Sequence, residues 1–143
     1  GQLAADEMGN TYFAFEYLPE PTVRKFDHAG YLVMEISLTT LEFQPAAQSA
    51  RRALSRPERG TPALHRIISA IGVDPGTQDV WLSIGTLLIH FDKDGTRLAS
   101  FRTYLPRGAR MEPATILVEP DRLLIGADPQ GTYEFPKFDR LPQ

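Results

Sequence analysis

Three acidic residues occupy matching places in this chain, and gathered carboxylates are what a cation site requires. Asp6 in AADEMGNTYFAFEY (4–17), Asp74 in GVDPGTQDVWLSIG (72–85) and Glu119 in LVEPDRLLIGAD (117–128) each end a short apolar run before a turn. If those runs lie side by side, the three acids meet near one axis or face and would hold a cation or a positively charged ligand. A plainer task also suits them: accepting hydrogen bonds from backbone amides of the following turns. The plainer reading is adopted here.

Other candidate chemistry is thinner. DKDG (92–95) opens like a calcium loop, but it lacks a third acidic ligand and has Thr103 where the bidentate twelfth ligand belongs. The matching DHAG (27–30) lacks the second Asp. His28, His65 and His90 are widely separated and show no metal-ligand spacing. WLSIG (81–85) has Trp81 where a nucleophile elbow needs its first glycine. There is no cysteine, which removes disulfides, thiolate metal sites and thiol nucleophiles. The one basic concentration is Arg51, Arg52, Arg56 and Arg59, with Arg66 beyond; solvated loop charges explain it, with an anionic partner as the alternative. No residue is assigned a catalytic, metal-binding or cofactor-binding role, and no cofactor is expected.

Bulk properties agree with a soluble globular domain. The 143 residues are 23% charged and 42% hydrophobic, enough for one domain with a core. A net charge of −3 gives no basic face for nucleic acid. No apolar run approaches the ~18 residues of a membrane span. The opening GQLAADEMGN has neither the pattern of a secretory leader nor an initiator Met, so a processed or trimmed chain is expected. Twelve Pro, eleven Gly, eight Phe and five Tyr suggest many turns between aromatic strands.

The elements that position these residues come from an internal repeat. VRKFDHAGYLVMEI (23–36) aligns with LIHFDKDGTRLASF (88–101) through a shared Phe-Asp-x-x-Gly, and GTYEFPKFD (131–139) is a third copy with Pro136 in place of the Asp. Each unit reads as an antiparallel meander: an apolar strand, an acidic turn, a returning strand, a third ending in Phe-Asp, and a corner leading to a fourth. Gly30 and Gly95 suit corners that need positive φ, and Asp27 and Asp92 would cap them. Asp74 to Glu119 spans 45 residues and Asp6 to Asp74 spans 68, so the first connection holds an insertion of 23. It falls at 41–65, where a short helix is expected from about Ala46 to Ser55, ended by Pro57, Gly60 and Pro62. Tyr12, Phe13 and Trp81 are expected in the core between units; exposed at a mouth, they would suit carbohydrate or peptide instead.

The pattern of LAADEMGNTYFAF, VRKFDHAGYL, IGVDPGTQDVWLSIGTLLIHFDKDGTRL and ATILVEPDRLLIGADPQGTYEFPKFD resembles six-bladed β-propeller, NHL-like repeat proteins of uncharacterised bacterial type. The resemblance implies an all-β fold of three four-stranded blades, near 1–40, 66–110 and 111–143, in one domain. Three blades are half of a six-bladed ring, so two blade faces need covering. A longer chain, a second copy or a complementary half from another chain would each supply the cover, and a homodimer is the simplest. The function implied is a non-enzymatic module that binds protein, peptide or another ligand. The alternative is a metal-dependent, lactonase-like hydrolase or lyase with its site in the central channel.

Overall fold

Alternation and corner chemistry resolve into three antiparallel sheets in the computed structural model, which describes residues 1–15, 22–38, 67–127 and 131–137. The first sheet runs β1 (Gln2–Ala5), β2 (Thr11–Phe15), β3 (Thr22–Phe26) and β4 (Leu32–Ser37) in simple order. The second repeats it with β5 (Ile68–Val73), β6 (Val80–Ile84), β7 (Leu87–Phe91) and β8 (Arg97–Arg102). The third has three described strands, β9 (Thr115–Val118), β10 (Arg122–Ala127) and β11 (Gly131–Pro136), with β10 central. The expected helix from Ala46 to Ser55, its breakers Pro57, Gly60 and Pro62, the arginines 51, 52, 56, 59 and 66, and His65 lie outside the described residues. No described helix is long and apolar enough to cross a membrane.

The corners form as their chemistry dictates. Asp27 Oδ1 accepts from the amides of Ala29 and Tyr31, and Asp92 Oδ1 accepts from those of Asp94 and Thr96, all at 2.9 Å. Gly30 and Gly95 follow with φ of +89° and +87°, a region closed to most side chains. Both expected hairpin corners are therefore present.

Strand pairing gives every sheet two distinct faces. One face bears the rows Ala4–Tyr12–Lys25–Met34 in the first sheet and Gly72–Trp81–His90–Ala99 in the second. It packs against the following sheet and is termed the leading face. The opposite, trailing face bears Leu3–Phe13–Arg24, Ile71–Leu82–Ile89 and Ile116–Ile125–Tyr133 in the three sheets.

One apolar core lies between the first two sheets, joining Tyr12, Val23 and Ile36 to Ile71, Leu82, Ile89 and Phe91. A second joins Trp81 and Leu88 to Ile116, Leu123 and Ile125. Burying one such large side chain contributes roughly 1.5–3 kcal/mol. The middle sheet is covered on both sides, so β5 and β6 are buried along their whole length. By contrast β9 alternates exposed and buried residues, as a half-covered strand must.

Phe13 departs from the expected inter-sheet core. Tyr12 is fully buried on the leading face, so its neighbour Phe13 must take the trailing face of the first sheet, where it is half-exposed. There it meets Phe15 edge-on at 4.7 Å.

Candidate functional site

The first strands of the sheets neighbour one another, β5 touching both β1 and β9. The acidic turns that end these strands are thus brought to one end of the assembly. Asp6 turns its carboxylate into its own turn, accepting from the amides of Met8 (2.9 Å) and Asn10 (3.1 Å), from Asn10 Nδ2 (2.8 Å) and from the Tyr12 hydroxyl (2.9 Å). Burial pushes this carboxyl up, but those donors outweigh it and hold it below the ordinary aspartate value. Burial, and then Asp6 as acceptor and neighbouring charge, push the Tyr12 phenol well above its usual range.

Asp74 likewise caps its own turn, with Lys137 in place of the Asn10 and Tyr12 side chains. Its Oδ1 accepts from the amides of Gly76 (2.9 Å) and Thr77 (3.1 Å), while Oδ2 receives Lys137 Nζ at 2.6 Å. Lys137 also donates to the Glu119 carbonyl at 2.9 Å, tying the end of the third sheet to the inner turn of the second. Burial pushes Asp74 up; donation from Lys137, then from the two amides, outweighs it and leaves the carboxyl lowered. The Glu119 side chain is held by Arg122, which also reaches Glu134 at 3.2 Å. Asp6 and Asp74 adopt the turn-capping role, whereas the Glu119 carboxylate is held by an arginine side chain, and no group of three His, Asp or Glu suited to a metal ion occurs among the described residues.

His28 sits in the exposed corner of the first sheet, and His90 is better placed. His90 stacks on Trp81 with ring centroids 4.0 Å apart and planes 8° from parallel, and its Nε2 lies 2.8 Å from Asp79 Oδ2. Lys25 occupies the same row position in the first sheet, 5.4 Å over the Tyr12 ring, with Nζ donating to Gln78 of the next sheet at 2.7 Å. An aromatic under a cationic or ionisable group therefore recurs on successive leading faces.

Beyond Trp81 the second and third sheets part. The fourth strand β8 of the second sheet faces no described fourth strand in the third, and Phe101 is left 40% exposed. The resulting slot has a volume of about 160 Å³ and is walled by Trp81, Leu88 and Phe101 on one side and Leu123, Phe135 and Pro136 on the other. Arg102 and Thr103 complete the lining. Trp81 Nε1 is buried and has no hydrogen-bond partner.

Solved structures with the same arrangement settle the architecture. The chain superposes on the Swd1 (Cps50) β-propeller domain of Myceliophteria thermophila with a TM-score of 0.52 at 11% identity, covering 87% of this chain and 31% of that one. This is a β-propeller fold. The dihydro-heme d1 dehydrogenase NirN, solved in complex with DHE, gives 0.58 at 13% identity over 99% of this chain and 26% of its own. A chain of the Mitotic Checkpoint Complex gives 0.55 at 12% identity over 94% and 32%. The chain thus spans about a third or less of the propeller proteins it resembles, and its three sheets are blades of an arc. No family model matches the sequence, and no curated protein matches it.

Neither Lys137 nor the slot stood out in the sequence. Lys137 did leave one sign: it follows Pro136, which replaces the corner Asp of the other two copies and frees the next side chain from that corner.

Proposed function

We propose that the chain is a non-enzymatic propeller module that binds an extended peptide segment of a partner protein at the slot beside Trp81. The observation that carries this reading is an apolar slot of about 160 Å³ walled by Trp81, Leu88, Phe101, Leu123, Phe135 and Pro136. A space near 150 Å³ admits one benzene-sized group, so one aromatic or branched aliphatic side chain fits. Beside the slot, β11 pairs only with β10 among the described strands, leaving a sheet edge along which an extended segment adds. The turn acids that a metal-centred hydrolase would draw upon are engaged by amides, Asn10, Tyr12, Lys137 and Arg122.

Selection from a random displayed peptide library tests the reading, because Trp81 is the only tryptophan and reports on the slot directly. Enriched peptides should share one aromatic or aliphatic position, shift the Trp81 emission and bind at least about tenfold more weakly to Phe101→Glu. Peptides that leave the emission unchanged and bind Phe101→Glu as well as the parent would overturn it.

A further inference from the structure

Between β8 and β9 the chain makes a small hairpin whose two faces are unlike. The amide of Leu105 donates to the Ala109 carbonyl (2.7 Å) and that of Met111 to the Thr103 carbonyl (2.9 Å). These bonds flank the bridge between Tyr104 and Arg110, a non-hydrogen-bonded pair of the kind whose side chains stand closest. One face is anchored. Thr103 and Met111 are buried, Leu105 packs on the second core, and the Thr103 hydroxyl donates to the Met111 carbonyl at 2.6 Å. The other face is open to solvent, with Tyr104 47% exposed beside an exposed Arg110 and with Arg107 exposed at the turn.

Arg102 joins the open face. On β8 Phe101 faces the slot, so alternation turns the next side chain across the strand, onto the row of Leu87. Arg102 is accordingly exposed and Thr103 after it buried. The Arg102 guanidinium donates one bond, to Thr86 Oγ1 at 3.3 Å, which leaves most of its N–H donors to solvent. Arg102, Arg107 and Arg110 have no carboxylate partner among the described residues, and the exposed Glu112 makes no ion pair with them. Arg24 and Arg122 differ in this respect, since Glu35 and Glu134 match their charges.

We infer that the open face of this hairpin, built from Arg102, Tyr104, Arg107 and Arg110, docks an acidic segment of a partner protein. Tyrosine and arginine are the side chains that most often carry binding energy at an interface, and the anchored face holds the backbone that presents them, which lowers the ordering cost of binding. Each guanidinium can take a carboxylate through two parallel hydrogen bonds. The charge balance decides the class of anion. Nucleic acid calls for a strongly basic face, and a long polyanion meets the net −3 of the whole chain. A short run of carboxylates responds only to charges within a Debye length, roughly 10 Å at ordinary salt, and these are the three arginines. The surface lies across β8 from the slot, so the inference does not rest on peptide binding there.

Fluorescence anisotropy of labelled hexaglutamate, titrated with the full chain at low and moderate salt, tests it, with hexaglutamine under the same label as control. Hexaglutamate should bind and hexaglutamine should not, and the affinity should fall as salt rises. Arg102→Gln, Arg107→Gln and Arg110→Gln should each weaken binding about two- to fivefold, and the three together at least about tenfold. Lys93→Gln, an equal loss of charge at the opposite end of β8, should change it by less than about 1.5-fold. All four side chains are exposed, so the urea midpoints should match that of the parent. Phe101→Ala, which widens the slot, should bind hexaglutamate as the parent does. A parent that leaves hexaglutamate free overturns the inference, as does binding that the triple variant retains. Equal weakening by Lys93→Gln overturns it because the peptide then senses only net charge, and equal weakening by Phe101→Ala because the peptide then sits in the slot. Oligothymidylate binding more tightly than hexaglutamate at the same salt would give the face to nucleic acid and overturn it as well.

Discussion

Replacing Lys137 with methionine keeps the aliphatic stem and removes only the ammonium that clasps Asp74. Both side chains are largely shielded, 14% exposed for Lys137 and 7% for Asp74, and the contact is 2.6 Å. Stripping one partner from a buried pair costs about 3–5 kcal/mol when the survivor is left alone. Here Asp74 retains two amide donors on Oδ1, so the loss should fall at or below that range, about 2–3 kcal/mol. Urea unfolding followed by Trp81 emission measures it, with Asp74→Asn and the double variant completing a cycle whose coupling should exceed about 1 kcal/mol. The pH dependence has a fixed sign. The folded carboxyl lies below its unfolded value of 3.8, so its stabilising contribution is complete above about pH 4 and is lost as pH falls through the lower, folded value. The gap between parent and Lys137→Met should therefore be wide at neutral pH and narrow as pH falls through the folded value. A loss under about 0.5 kcal/mol at neutral pH, or a gap that is the same in acid, would refute the clasp as a stabilising contact.

Four further substitutions probe the packing. Phe91→Ala, at a core side chain 4% exposed, should cost about 3–5 kcal/mol by urea unfolding; a loss under 1 kcal/mol would mean the site collapses around the cavity. Gly30→Ala and Gly95→Ala face the same positive φ, but a Cβ at Gly30 meets nothing within 4 Å whereas one at Gly95 comes within 3.2 Å of Ile36 Cγ1 and 3.3 Å of Met34 Sδ. The first should cost about 1–2 kcal/mol from backbone strain alone and the second measurably more, the difference being the packing between blades. Gly72→Ala would set a Cβ 2.7 Å from Ile116 Cγ2 and 2.9 Å from the Ile116 carbonyl, for an expected loss of about 1–3 kcal/mol by urea unfolding.

The corners and the acidic turns were legible because their chemistry is local. An Asp, a Gly with positive φ and the amides between them lie within five residues, and both Asp27–Gly30 and Asp92–Gly95 formed as read. The stretch LIHFDKDGTRLASF (88–101) accordingly holds the corner between β7 and β8. Facing was harder to read. Tyr12 and Phe13 are both aromatic and adjacent, and a shift of one residue exchanges the faces of a strand, so composition could not say which of them enters the core. The Lys137–Asp74 pair joins residues 63 apart in sequence, and the slot draws its walls from two sheets. Neither arises from a local pattern, and each depends on how far the blades fan apart.

The full burial of β5 and β6 bears on how this molecule comes apart. Neither strand presents an edge or a face to water, since β5 is flanked by its own sheet and by the first strands of both neighbours, and β6 lies between β5 and β7. Their amide protons are released only when an end blade has already lifted away, so they exchange last and at the free energy of complete opening, while β4 and β11 exchange through local fraying. The middle blade is thus the part whose survival decides whether the rest can reassemble, and each end blade serves it as a removable cover.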